Sequence, residues 1–126
     1  MKHAGNLTIT IDNQDQYQEL TEVSGWIEVR EGATFTAPAL IEVSRGVYVY
    51  EGATFNAPAL IEVSGLVLVR KGATFNAPAL AKSGGVYVYE GATFNAPALI
   101  EVSGVVYVYE GATFNAPALK NKTERI

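Results

Sequence analysis

The nonapeptide GATFNAPAL occurs word for word at residues 52–60, 72–80, 91–99 and 111–119, and a near copy, GATFTAPAL, stands at 32–40. Successive leading glycines, Gly32, Gly52, Gly72, Gly91 and Gly111, are 20, 20, 19 and 20 residues apart. A fixed period outranks local propensity, because it declares a chain made of one unit copied in series. The fullest unit, residues 100–119, reads IEVSGVVYVYEGATFNAPAL. Within each unit valines alternate, as in Val47 and Val49 or Val106 and Val108. Period two with β-branched residues specifies a strand. Gly, Pro and Ser-Gly supply the corners.

Short strands and corners repeating every 20 residues predict an all-β, single-domain parallel β-solenoid, a right-handed β-helix. It has about five 20-residue coils over 21–119, an irregular N-terminal cap coil over 1–20 and a charged tail over 120–126. Each strand pairs with its equivalent one coil away. Coils about 4.8 Å apart make a rod roughly 24 Å long. A single coil cannot bury its apolar face, so stacking has to create the core. A pentapeptide-type coil also uses 20 residues, but here only F-x-x-x-x-L keeps a five-residue spacing, which ranks that fold second.

Stacking aligns identical residues into columns. Four should point inward: those of Phe55, Leu60, Val47 and Val49, with Ala53 and its equivalents filling small gaps. Val23, Val43, Val63 and Val102 should join them. Leu40 and Ile41 are adjacent and cannot both face inward on one strand; the same choice stays open at Leu60–Ile61 and Leu99–Ile100. The short coil lacks one residue, placed between Lys82 and Ser83. In the cap, Ile9 and Ile11 are set to pair beneath Ile27 and Val29, and NQDQYQEL (13–20) to form a short helical turn with Tyr17 and Leu20 over the core end.

The recurring P-A-L-x-x-V-S-G-x-V-x-V-x-x-G-A-T-F resembles the leucine-rich-repeat-like, receptor L-domain-like right-handed β-helix repeats found in repetitive bacterial and phage proteins. The resemblance covers about 21–119. It implies a coil of that type and is nearly silent on activity, since such coils host many binding roles.

Composition narrows the chemistry. There is no Cys and one His, His3, which excludes thiolate metal sites, Cys nucleophiles and a usual zinc site. A Ser-His-Asp arrangement would need that same His near the terminus. No phosphate-cradling Gly loop stands apart from the repeat corners. The carboxylate columns have nothing to desolvate one member, so general acid chemistry is not expected. No cofactor, no metal and no enzymatic activity are expected. MKHAGNLTIT lacks the apolar run of a signal peptide and no stretch approaches a membrane span, which with the missing Cys points to a cytoplasmic protein without membrane contact. The net charge is −4. The tail holds Lys120, Lys122 and Arg125 against Glu124, so the acidity lies in the coils. That disfavours direct nucleic-acid binding and favours a basic partner.

The valines point in, so their neighbours point out. One outward column runs Glu28, Tyr48, Leu68, Tyr87, Tyr107; the next Arg30, Tyr50, Arg70, Tyr89, Tyr109; beside it Glu31, Glu51, Lys71, Glu90, Glu110. Part of this follows from ladder stability: stacked tyrosines attract, Arg70 fits between Tyr50 and Tyr89, and Lys71 and Lys82 separate stacked glutamates. The remainder reads as an interaction strip, since a large apolar patch with an acidic rim marks a docking surface. The candidate site is therefore Tyr48, Tyr50, Leu68, Arg70, Tyr87, Tyr89, Tyr107 and Tyr109 with Glu51, Glu90 and Glu110. The threonine column at Thr54 invites comparison with an ice-binding face, but such faces show two parallel threonine columns, as T-x-T, and here the second column reads as Ala or Phe. The asparagines at Asn56 and its equivalents read as a corner ladder.

The expected function is a non-catalytic protein-binding module. A small acidic module of this kind suits a phage or mobile-element inhibitor that docks on the basic nucleic-acid-binding cleft of a nucleic-acid-processing enzyme, such as a host defence nuclease of the CRISPR type. The alternatives are a self-assembling structural β-helix, as a homodimer or filament, and an adhesin fragment or consensus-built repeat scaffold.

Overall fold

The fold follows from where each 20-residue unit turns. The computed structural model describes residues 1–120 and 123–125. In every unit two β-turns frame the nonapeptide. At the first, the Ala53 N–H donates to Tyr50 O at 2.9 Å, and Gly52 takes φ +69° at the third position of the turn. Gly32, Gly72, Gly91 and Gly111 repeat that left-handed conformation, which a side chain disfavours. At the second, the Leu60 N–H donates to Ala57 O at 3.2 Å across Pro58–Ala59, with Pro at the second position where its fixed φ belongs. A tight Ser-Gly corner makes the third bend.

Three bends give three parallel sheets. The first face holds β1 (Lys2–His3), β3 (Glu22–Val23), β6 (Glu42–Val43), β9 (Glu62–Val63), β12 (Lys82–Ser83) and β15 (Glu101–Val102). The second holds β2 (Leu7–Ile9), β4 (Ile27–Val29), β7 (Val47–Val49), β10 (Val67–Val69), β13 (Val86–Val88), β16 (Val106–Val108) and β18 (Thr123–Arg125). The third holds β5 (Thr34–Thr36), β8 (Thr54–Asn56), β11 (Thr74–Asn76), β14 (Thr93–Asn95) and β17 (Thr113–Asn115). Each strand pairs in parallel with its like, Phe75 on Phe55 and Phe94, Val67 on Val47 and Val86. The molecule is an all-β parallel solenoid of about six turns, with no helix among the described residues.

The inward columns are as the alternation dictates. Val47, Val49, Phe55, Leu60 and Val63 are fully buried, as are their equivalents in the middle coils. The phenylalanine rings pack in file, with centroids 5.8, 5.5, 5.1 and 5.2 Å apart from Phe35 to Phe114. The Leu–Ile choice resolves in favour of leucine. Leu40, Leu60 and Leu99 close the Pro-Ala turn facing inward, and Ile41, Ile61 and Ile100 stand exposed just past it.

The N-terminal coil is more regular than its sequence suggests. Leu7 and Ile9, not Ile9 and Ile11, pair with Ile27 and Val29, at the same 20-residue offset that sets Lys2 on Glu22. Asn13 explains the difference. Its Oδ1 accepts from the Thr10 N–H at 2.7 Å and its Nδ2 donates to Thr8 O at 3.0 Å, which ends the strand at Ile9 and leaves Ile11 exposed on a turn. Residues 13–20 form turns, not a helical turn, with Leu20 fully buried and Tyr17 packed on the core. No third-face strand forms here; Gln14 Oε1 instead accepts the Thr34 N–H at 2.8 Å and covers the edge of β5.

The short coil also differs from expectation. Lys82 pairs with Glu62, and Ser83 with Val102, so Ser83 occupies the buried valine column. The missing residue is lost from the corner after Ser83, not before it. Corners are where a residue can be dropped without shifting the inward alternation of the strands. Ser83 Oγ is satisfied by donating to Gly84 O at 3.0 Å. At the far end, β18 covers the second face, while Phe114 and Leu119 of the third face stay half-exposed. Part of the charged tail thus acts as a cap; residues 121, 122 and 126 lie outside the described residues.

Candidate functional site

The outward columns of the second face are set by register. Tyr48, Leu68, Tyr87 and Tyr107 pair in sequence through β7, β10, β13 and β16, with Glu28 before them and Glu124 after. Each tyrosine is half-buried by its neighbours rather than freely exposed. Tyr89 and Tyr109 stack at 4.7 Å with planes 8° apart, so their faces are spent on each other and edges and hydroxyls meet solvent. Tyr87 and Tyr107 meet edge to face at 5.1 Å. Arg70 lies between Tyr50 and Tyr89, its guanidinium carbon 5.7 and 5.8 Å from the two ring centroids. Its Nε is buried with no hydrogen-bond partner, a cost that the two flanking rings offset. Tyr48, Tyr50, Leu68, Arg70, Tyr87, Tyr89, Tyr107 and Tyr109 are therefore brought together along one face, and Glu51, Glu90 and Glu110 stand on the turns at its edge.

A further column borders them, just before the strand. It reads Trp26, Gly46, Leu66, Gly85, Val105, alternating bulk with glycine. A Cβ on Gly46 would meet the Tyr48 hydroxyl at 2.9 Å, and one on Gly85 would meet Leu66 Cδ1 at 3.3 Å and Tyr87 Cε1 at 3.7 Å. Tyr48 and Tyr87 thus fold over the glycine notches, with Leu66 between them. Trp26 sits edge-on to Tyr48 at 6.4 Å and Val105 is 46% exposed. Trp26, Leu66 and Val105 therefore enlarge the apolar surface. The signal for them in the sequence is the alternation of bulk and glycine one place before V-x-V.

Charge is arranged unevenly along the strip. At the N-terminal end it is neutralised internally: the Trp26 indole N–H donates to Glu28 Oε2 at 2.9 Å, Arg30 reaches Glu28 at 3.3 Å and Glu31 at 3.5 Å, and its guanidinium lies 4.2 Å from the Tyr50 centroid. Further along, Glu51, Glu90 and Glu110 are exposed and make no ion pair among the described residues. Lys71 and Lys82 alternate with glutamates in their columns without closing a salt bridge to them.

The third face corrects one expectation. Its second outward column is neither Ala nor Phe but Thr36, Asn56, Asn76, Asn95 and Asn115, which lie on the strands beside the threonines. Asn95 Nδ2 donates to Asn76 Oδ1 at 2.7 Å and Asn115 Nδ2 to Asn95 Oδ1 at 2.6 Å.

A shallow hollow of about 270 Å³ opens beside β1, lined by Lys2, His3, Glu22, Glu42, Ser24 and Ser44. His3 Nε2 is in hydrogen-bond contact with Asn6 O at 3.0 Å, and Lys2 forms an exposed ion pair with Glu22 at 3.7 Å. No group of three or more Asp, Glu or His among the described residues could hold a metal ion. No protein-family model matches the chain, and no curated protein and no solved structure is significantly similar to it.

Proposed function

We propose that this protein is a non-catalytic binding module that docks one basic protein partner through its second face. The observation that carries the reading is the continuous apolar surface of Trp26, Leu66, Val105 and the tyrosine column, flanked by the unpaired carboxylates of Glu51, Glu90 and Glu110. Half-buried tyrosines held in a ladder lose little side-chain freedom on binding, which favours an interface. Edges and hydroxyls outward suit hydrogen bonding to backbone and to Lys or Arg. The acidic rim would speed encounter with a basic surface. A nucleic-acid-binding cleft has that charge, and an inhibitor that occupies one is the reading we favour. The coil type, resembling leucine-rich-repeat-like and L-domain-like repeats, agrees with recognition rather than catalysis.

The test is capture of partners from nuclease-treated bacterial lysate by the tagged chain, beside a variant carrying Tyr48→Ser, Tyr87→Ser and Tyr107→Ser whose fold is checked by far-UV circular dichroism. The expected outcome is a basic partner held by the parent and released from the variant. Equal capture by both would discard the second face as the site.

A further inference from the structure

The third face is chemically unlike the rest of the surface. Its outward residues are the five threonines of one column and, in the other, Thr36 followed by four asparagines. None carries charge, although the faces on either side present glutamates. Outward positions on the second face drift from coil to coil, from Glu28 to Tyr48 to Leu68. On the third face they hold, apart from Thr36. Packing accounts for the inward Ala, Phe and Leu, and turn geometry for Gly and Pro. The asparagines have their amide ladder. Threonine suits an outward strand position and pairs well with threonine across strands, but valine, isoleucine and tyrosine suit it too, so strand propensity alone does not select threonine at every coil.

The array is rigid as well as uniform. The phenylalanine file lies directly beneath it, and hydrogen bonds of 2.7 and 2.6 Å hold the side chains of Asn76, Asn95 and Asn115 in line, while Asn56 reaches Thr36 Oγ1 at 3.5 Å. Each amide in the ladder still has an N–H and an oxygen lone pair to offer water. The face is narrow: its columns are about 7 Å apart and span four steps of about 4.8 Å. That is far short of the roughly 800 Å² per partner of a stable protein interface. A uniform, uncharged, narrow array fits a ligand that is itself periodic and extends past the protein on every side.

Ordered water has such a period. Tetrahedral O–H···O bonds of about 2.75 Å place second-neighbour oxygens about 4.5 Å apart in ice. The coil repeat of about 4.8 Å departs from this by about 0.3 Å per step, or about 1.2 Å over four steps, less than half a hydrogen-bond length. We propose that the third face binds the surface of ice, its hydroxyls and amides anchoring water at the coil repeat while the threonine methyls order the water between. This site is separate from the second face and does not depend on what that face binds.

The test is measurement of thermal hysteresis and of ice recrystallisation in solutions of the full chain at millimolar concentration. The expected result is a freezing point below the melting point, with faceted crystals. A Thr74→Tyr variant, which raises a bulky ring at the centre of the array, should lose most of that gap, and Tyr87→Ser on the second face should keep it. If Thr74→Tyr does not fold by circular dichroism, Asn76→Asp serves instead, since an outward carboxylate at that point disturbs the array without adding bulk. No hysteresis from folded protein, or hysteresis undiminished in the folded third-face variant, overturns the proposal. Retention on crystalline chitin or cellulose without any effect on ice also overturns it and assigns the face to a solid polysaccharide.

Discussion

Two glycines show how differently single residues serve the same coil. Gly52 is needed for its dihedral: φ is +69° and a Cβ would meet nothing within 4 Å. Gly84 is needed for space: a Cβ there would stand 2.6 Å from the Gly65 carbonyl carbon of the coil before it. Strain at one position can be borne locally, whereas backbone pressed on backbone pushes coils apart. Gly52→Ala should therefore cost about 1–2 kcal/mol, and Gly84→Ala about 3 kcal/mol or more, at the top of the overpacking range. Urea denaturation of the two variants measures the difference, and equal costs would refute the close approach. The choice between Leu40 and Ile41 is also settled at this scale. Two adjacent apolar residues at a corner carry no period, so only the turn closed by the Leu40 N–H and Ala37 O decides which one is buried.

Among elements, position along the stack matters more than sequence. Strands β11 and β17 are both Thr-Phe-Asn, yet β11 has a strand on either side and β17 on one. Phe75 is fully buried and Phe114 only partly. Phe75→Ala should cost about 3–5 kcal/mol as a filled core site is emptied, and Phe114→Ala clearly less. Hydrogen exchange should show the same gradient, with slower amides in β11 than in β17. Matching stability losses would mean that the end coil is as well packed as the middle. The strands themselves were legible in the sequence because Val-x-Val and Thr-Phe-Asn recur with the same flanks. The first coil was not, because its register rests on Asn13 and Gln14, side chains that stand in for backbone pairing and leave no periodic trace. The buried position of Ser83 was hidden for a related reason: a deletion inside a Val-Ser-Gly corner aligns equally well on either side of the serine.

At the scale of the whole molecule, charge is the term left unsatisfied. Glu22, Glu42 and Glu62 stand directly over one another on the first face. Like charges in register oppose pairing, and the coil repeat of about 4.8 Å lies inside the Debye length of about 10 Å at 0.1 M salt. Sodium chloride at about 1 M, where that length falls to about 3 Å, should raise the melting temperature. Glu42→Lys should stabilise the protein by about 0.5 kcal/mol at low salt and by less at high salt. Thermal melts of both proteins across a salt series test this, and a parent insensitive to salt would show the column to be fully hydrated. Legibility at this scale was split. The tyrosine columns could be placed from alternation, since register carries them to one face, whereas Glu51, Glu90 and Glu110 face outward because they lie on the turns that follow. What the repeat does not encode is how each pair meets: Tyr89 and Tyr109 stack face to face while Tyr87 and Tyr107 meet edge to face, a difference of side-chain rotation.

The likeness of the coils makes the molecule nearly blind to its own order. If the second coil settled on the fourth, the skipped unit would bulge out as a loop, and every Phe, Val and Leu would still meet its like. Closing a loop of that size adds only a logarithmic entropy cost, so the correct count must be enforced by whatever differs between neighbours. The 19-residue coil with Ser83 is one such mark, and the N-terminal coil ended by Asn13 is another. They act as registration notches on an otherwise uniform ruler, and erasing them by restoring the consensus should yield a protein that is locally sound yet assembles into a mixture of miscounted stacks.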